Sequence, residues 1–323
     1  MRQRTCSVTG TLLRVSPVSE RAGFPTHVDP SFMSRLLIPR EHGAWGMVSL
    51  PFIAGALVAG NWANPRTLAA AVGVFSVFLM RPPLLVLWRN RNAVGNSSDP
   101  KLQASSRAGR SPRAEELQNA RFSLRVYGTV AIVAGSYLFL NLPVIPLFLM
   151  SFGAAFLTLS SVYLAARNYQ RLPALQIASA LGLTASSLTA YLAARGHLES
   201  AAFWVWALFA AHSAASVLVV HARLESIIAK RKSTLSPAAL PHRRDALVAQ
   251  AGVLILLVVL VVQGHPWLIL PFLPPLILEW WNLSQLSART PETISLRQMG
   301  LMQLGASIAF CFLLVAVLRF SLF

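Results

Sequence analysis

The chain has 323 residues, of which 55% are hydrophobic and only 12% charged, and its 28 Lys and Arg against 11 Asp and Glu give a net charge of +17. That charge alone would suit a nucleic-acid binder, but uninterrupted apolar runs such as 254–262 exclude a soluble one, and the apolar blocks approach the ~17–25 residues that span a bilayer. Nucleic acid is therefore not an expected partner; the lipid bilayer is. Only two cysteines occur, Cys6 in a polar stretch and Cys311 in the last apolar run, which excludes a disulfide framework or a paired thiolate metal site.

Residues 1–35 are basic, rich in Ser, Thr and Pro, and hold no apolar core of signal-peptide length, so they are expected to form a disordered cytoplasmic leader before a membrane domain over 36–323. Met33 is an alternative start. Apolar segments then fall at 43–60, 67–88, 124–141, 144–166, 172–194, 201–221, 246–263, 266–281 and 300–320. The spacing predicts an all-α, polytopic bundle of nine transmembrane helices. The second span is interrupted by Arg81-Pro82-Pro83 and the eighth carries Pro271, Pro274 and Pro275; such breaks persist where neighbours satisfy the freed backbone groups. A helix start is expected at Ser111-Pro112, with Glu115 and Glu116 in its first turn.

Positive charge should gather in alternate loops of such a bundle. Twenty-five of the 28 Lys and Arg lie in the leader through Arg40 and in the connections 81–125, 167–171, 222–245 and 282–299; only Arg66, Arg195 and Arg319 lie on the other side. This places the N-terminus and the long loops 89–122 and 222–245 in the cytoplasm, and the C-terminus outside.

Sorted by leaflet, most polar helix ends fall on the cytoplasmic side. The first span opens on Pro39-Arg40-Glu41-His42-Gly43-Ala44-Trp45-Gly46, and the second ends on Arg81, Trp88, Arg89 and Asn90. The fourth delivers Arg167, Asn168 and Tyr169, the sixth His221, Arg223 and Glu225, and the eighth Glu279 with Trp280 and Trp281. The outer ends offer Asn61, His197, Glu199 and His265. The arginines satisfy the positive-inside bias and the tryptophans an interfacial belt without any further role. Glu41 and His42 are different: ionisable groups at membrane depth are costly to desolvate, and they become the acid and base candidates. Arg40, Trp45, Arg81, Arg89, Asn90, His221, Arg223, Glu225 and Glu279 complete the candidate substrate site. His212, deeper in the sixth span beside Ser213 and Ser216, joins them as an interhelical hydrogen-bonding group.

The opening motif, with Met47, Pro51 and Gly55 after it, resembles the signature of the YwiC-like family of uncharacterised integral membrane proteins, and the stretch from Ser216 to Glu225 is similar to a later basic helix end of that family. The likeness covers roughly 35–323 and implies the cytoplasmic membrane of a bacterium. More remotely, the layout resembles the UbiA-type intramembrane prenyltransferases, whose nine helices carry Asp-rich magnesium and diphosphate motifs after helices 2 and 6. This chain has Arg89-Asn90 and His221 to Glu225 at those places. That departure implies a basic pocket in which Arg and His hold phosphate or carboxylate directly. Three readings follow: a prenyltransferase-like or lipid-phosphate-handling protein acting on an isoprenoid or phosphate-bearing lipid, a transporter of a small anion, and a non-catalytic assembly factor. The sequence does not identify a cofactor.

Overall fold

A computed structural model describes residues 36–39, 42–96, 112–167, 173–231, 239–287 and 296–321. The expected leader, Arg40, Glu41, Ser111, Asn168, Tyr169 and the side chain of His42 lie outside the described residues. Eleven α-helices occur among the described residues: α1 (His42–Ala59), α2 (Pro65–Leu79), α3 (Arg81–Asn96), α4 (Pro112–Asn141), α5 (Val144–Ala166), α6 (Pro173–Thr184), α7 (Ser186–Arg195), α8 (Ser200–Arg231), α9 (Ala239–Val262), α10 (Leu273–Ser287) and α11 (Leu296–Ser321). A 3-10 segment, Pro266–Phe272, precedes α10.

Each of the nine predicted segments coincides with one helix or with two consecutive ones. Seven are long and apolar enough to cross a membrane, α2 with α3 and α6 with α7 each counting as one, while α1 and the 3-10 segment with α10 form the two shorter or broken passes. The break in the second pass is confined to Met80, and Leu84 N–H still bonds to the Met80 carbonyl at 3.1 Å. Pro82 and Pro83 thereby fall in the first turn of α3, where a missing N–H leaves no helical acceptor unsatisfied that a full turn would have used. Pro274 and Pro275 occupy the same place in α10. Helix α4 starts at Pro112 with Glu115 in its first turn, at the predicted position.

The division of the fifth pass into α6 and α7 was not expected. It follows from a Thr-Ala-Ser-Ser run whose hydroxyls bond to nearby carbonyls: Thr184 to Ala180 at 2.8 Å, Ser187 to Thr184 at 2.9 Å, and Ser186 across to Val48 of α1 at 2.9 Å. Such competing bonds bend helices. Gly60, Gly196 and Gly264 take positive φ values of 88°, 91° and 86° where α1, α7 and α9 end. Asn64 caps α2, accepting from Thr67 N–H at 2.8 Å, and donates to the Ala194 carbonyl of α7 at 3.2 Å.

Helix α8 is the hub, packing against α1, α6, α7, α9, α10 and α11. The core around it centres on Phe209, Phe272 and Phe310, with edge-to-face ring pairs of Phe310 at 5.0 Å to both partners. By contrast α5 buries little and turns Phe148, Phe152 and Phe156 outward, which is the pattern of a helix solvated by lipid.

Candidate functional site

A cavity of about 950 Å³ lies among α1, α6, α8 and α11, touched by the start of α3 and the end of α5. Along α8 its wall extends from Leu224 to Phe209, about 22 Å at 1.5 Å per residue. One end is basic and polar, its lining including Arg81, Arg297, His221 and Gln176 with Gly43 and Ala44 of α1. Gln176 Nε2 lies 3.4 Å from His221 Nδ1, which with the amide as placed makes Nδ1 the acceptor. Beyond this mouth the wall has an apolar side, formed by Met47, Leu50, Pro51, Leu183 and Phe209, facing polar groups of α8 and α11. It also includes Leu301, 58% exposed on the outer flank of α11, so the cavity reaches the lipid-facing surface.

The deeper wall carries a hydrogen-bonded chain. His212 is buried and stacks on Phe310 at 4.5 Å, with Nε2 3.1 Å from Ser307 Oγ and Nδ1 3.5 Å from Ser216 Oγ. Ser216 donates to Glu279 Oε1, Gln250 Nε2 donates to Glu279 Oε2, and Gln303 Nε2 donates to Ser216 at 2.6 Å. A hydroxyl has one proton, and that of Ser216 goes to Glu279. Gln303 and His212 therefore face its lone pairs, which places the His212 proton on Nδ1 and makes Nε2 accept from Ser307. Glu279 is 2% exposed and Gln250 1%, and the Oε1 atoms of Gln176, Gln250 and Gln303 are buried without a partner.

Of the residues singled out from sequence, Arg81, His212 and His221 line the cavity, and Glu279 stands one layer behind Ser216. Arg40, Glu41 and the His42 side chain lie outside the described residues, but Gly43 and Ala44, next in the chain, form the mouth. Trp45, Arg89, Asn90, Arg223 and Glu225 lie off the wall. Trp45 packs on Phe75 and Phe78 and donates to the Pro39 carbonyl at 3.4 Å. Arg223 is buried, donates to Asn282 Oδ1 at 2.6 Å and lies over the Trp281 ring at 5.1 Å. Gln176, Gln250, Gln303, Ser307 and Arg297 were not anticipated. The available signal was a single amide inside an otherwise apolar run, as at Gln250 and Gln303, since an interhelical amide bond is a common reason to keep one there.

Among the described residues no carboxylate lines the cavity; its polar groups are guanidinium, imidazole, amide and hydroxyl. That set suits an anion held by cationic and neutral donors, and the apolar length below it suits a hydrocarbon chain. Neither a curated protein nor a solved structure matches the chain. Residues 38–194, from just before α1 to the last turn of α7, match the family model described as YwiC-like protein, so just under half of the chain is similar to that family, and seven helical stretches are long and apolar enough to cross a membrane.

Proposed function

We propose that the cavity binds an amphipathic lipid with an anionic, phosphate-type head group, its head at the Arg81, Arg297 and His221 mouth and its chain along Met47, Leu50 and Leu183. The observation that carries this reading is the joining of a cationic mouth to an apolar channel in one cavity. Leu301 supports it further, because a lipid can enter sideways where the wall reaches the bilayer. The bias of Lys and Arg toward alternate loops supports a cytoplasmic mouth.

An isoprenoid phosphate of the kind handled by UbiA-type enzymes belongs to this ligand class. Magnesium-held diphosphate fits the described wall poorly, since Mg²⁺ takes hard oxygen ligands and no carboxylate pair faces the cavity among the described residues. Arginine and histidine then carry the phosphate directly, and Arg supplies bidentate contacts. Glu41 and His42, immediately before Gly43, are the acid and base candidates if the bound lipid reacts.

The test is native mass spectrometry of the detergent-purified protein. The expected result is one anionic isoprenoid or phospholipid per chain, lost in the Arg81→Ala/Arg297→Ala double variant. Absence of a stoichiometric anionic lipid, or its full retention in the double variant, overturns the reading.

A further inference from the structure

Behind the cavity, four helices converge on one carboxyl group. Glu279 of α10 takes hydrogen bonds from Ser216 of α8 and Gln250 of α9, and Gln303 of α11 reaches Ser216. A charged side chain at such depth carries a penalty of about 2.5–3.5 kcal/mol even on lenient scales, and it is retained where it has a role or a partner. Here the partners are neutral.

The titratable or charged side chains that face Glu279 from the packed elements are few. From α8 come His212, through Ser216, and Arg223, which is turned to Asn282. From α9 and α11 come the amides of Gln250 and Gln303, and the 3-10 segment Pro-Trp-Leu-Ile-Leu-Pro-Phe holds no titratable residue. Among the described residues no ion pair neutralises Glu279. The carbonyl oxygens of Gln250 and Gln303 are buried and without partners. A primary amide turned about its last torsion presents that oxygen in place of its N–H₂. A carboxylate accepts only, so it needs the amides as donors; a carboxylic acid carries an O–H, which a turned Gln250 oxygen accepts. The pair of amides therefore serves both protonation states.

We propose that Glu279 is a proton-binding site linked to the lipid cavity through Ser216, so that an anionic ligand and one proton bind together. Ser216 is the connection because it lines the cavity and bonds to Glu279. The transfer balances with one solvent proton: Ser216 passes its hydroxyl proton to Glu279 Oε1 as its oxygen, freed when the Gln303 amide turns away, takes one from a hydronium ion in the cavity, which is left as neutral water. The anion and the proton favour each other because together they add no net charge to a low-dielectric interior, and the coupling is reciprocal. This rests on the lipid-anion reading for the ligand but not for the proton site itself.

The probe is dihexanoyl-phosphatidylglycerol, a phosphodiester whose charge is constant over the range used. Its binding to the purified chain is measured from pH 5 to pH 8 in sodium-free choline buffer, with and without NaCl, for wild type and Glu279→Gln. Linkage of one proton gives up to a roughly tenfold loss of affinity per pH unit on the alkaline side. Wild type should show that slope beyond whatever His212 and His221 contribute, and Glu279→Gln should keep only the histidine part. An unchanged slope in Glu279→Gln overturns the proposal, as does a wild-type dependence on NaCl in place of acid, which would make sodium the bound cation. If Glu279→Gln fails to fold, Ser216→Ala leaves the carboxyl but cuts its link to the cavity, and it must flatten the slope. If the lipid binds at no pH, the lipid-anion reading fails by itself. Infrared difference spectra of the wild-type chain then decide: a protonated-carboxyl band that titrates and is missing from Glu279→Gln upholds the proton site, and no such band overturns it.

Discussion

A Cβ placed on Gly55 would lie 2.2 Å from the carbonyl oxygen of Ser187, so α1 and α7 meet backbone against backbone. Close packing of this kind uses small residues to let helices approach. It sets the position of α1, and hence of Gly43 and Ala44 at the cavity mouth. Gly55→Ala should destabilise the chain by about 1–3 kcal/mol or more through overpacking, despite the better helix propensity of Ala. Gly305→Ala, where a Cβ meets nothing within 4 Å, should be neutral or slightly stabilising. Thermal melting in detergent decides, and equal melting points for the two variants would contradict the close packing.

At the opposite end of the bundle Glu199 accepts from the Tyr191 hydroxyl at 2.6 Å, His197 Nε2 at 2.7 Å and Arg195 Nε at 3.2 Å. The Tyr191 hydroxyl foremost holds the Glu199 carboxyl below its ordinary value of 4.5; desolvation opposes it and ranks next, ahead of the further lowering by His197 and Arg195. The folded state therefore binds this proton less readily than the unfolded chain. Its stabilisation is complete above the ordinary carboxylate range and disappears as pH falls through the lower folded value. The melting-point gap between wild type and Glu199→Gln should be full at neutral pH and close on acidification below 4.5. A gap that is constant down to about pH 3 would remove Glu199 from the account.

Long apolar runs made the helical segments legible, because a helix facing lipid must be apolar over its whole length, and proline pairs marked two of the irregular ones. The Thr184 to Ser187 bend escaped because its cause, hydroxyls bonding to carbonyls, includes a partner, Val48, that lies 138 residues away in sequence. The site was read in part for a similar reason. Searching helix ends for charge found Arg81 and His221. It gave weight to Arg223, whose hydrogen bond to Asn282 turns it from the cavity, and passed over Gln250 and Gln303, whose hydrogen bonds are visible only once four helices are brought together.

That contrast separates two kinds of arginine. Arg223 is 5% exposed and bonded to Asn282, so Arg223→Ala should cost about 1.5–3 kcal/mol of stability for a lost charged hydrogen bond, with copurified lipid little changed in the fraction that folds. Arg297, exposed at the mouth, should behave in the reverse manner: Arg297→Ala should melt within about 0.5 kcal/mol of wild type and lose lipid. Melting curves paired with lipid quantification check both. Lipid loss in folded Arg223→Ala would move the binding site toward α10.

The mouth faces the cytoplasm only if the chain is oriented as its loop charges require. If every one of the nine segments crosses, the chain between Arg231 and Ala239 is on the same side as Arg81 and the end of α11 is on the other. Twenty-five of the 28 Lys and Arg fall on the first side. That bias orients bacterial membrane proteins with the charge-rich loops inside. A reporter enzyme active only outside the cytoplasm should therefore be active when fused after Phe323 and silent when inserted between Arg231 and Ala239. Activity at both sites would mean that one of the two short or broken passes, α1 or the 3-10 segment with α10, does not cross. The reverse pattern would place the basic mouth outside, and its lipid would then have to come from the outer leaflet.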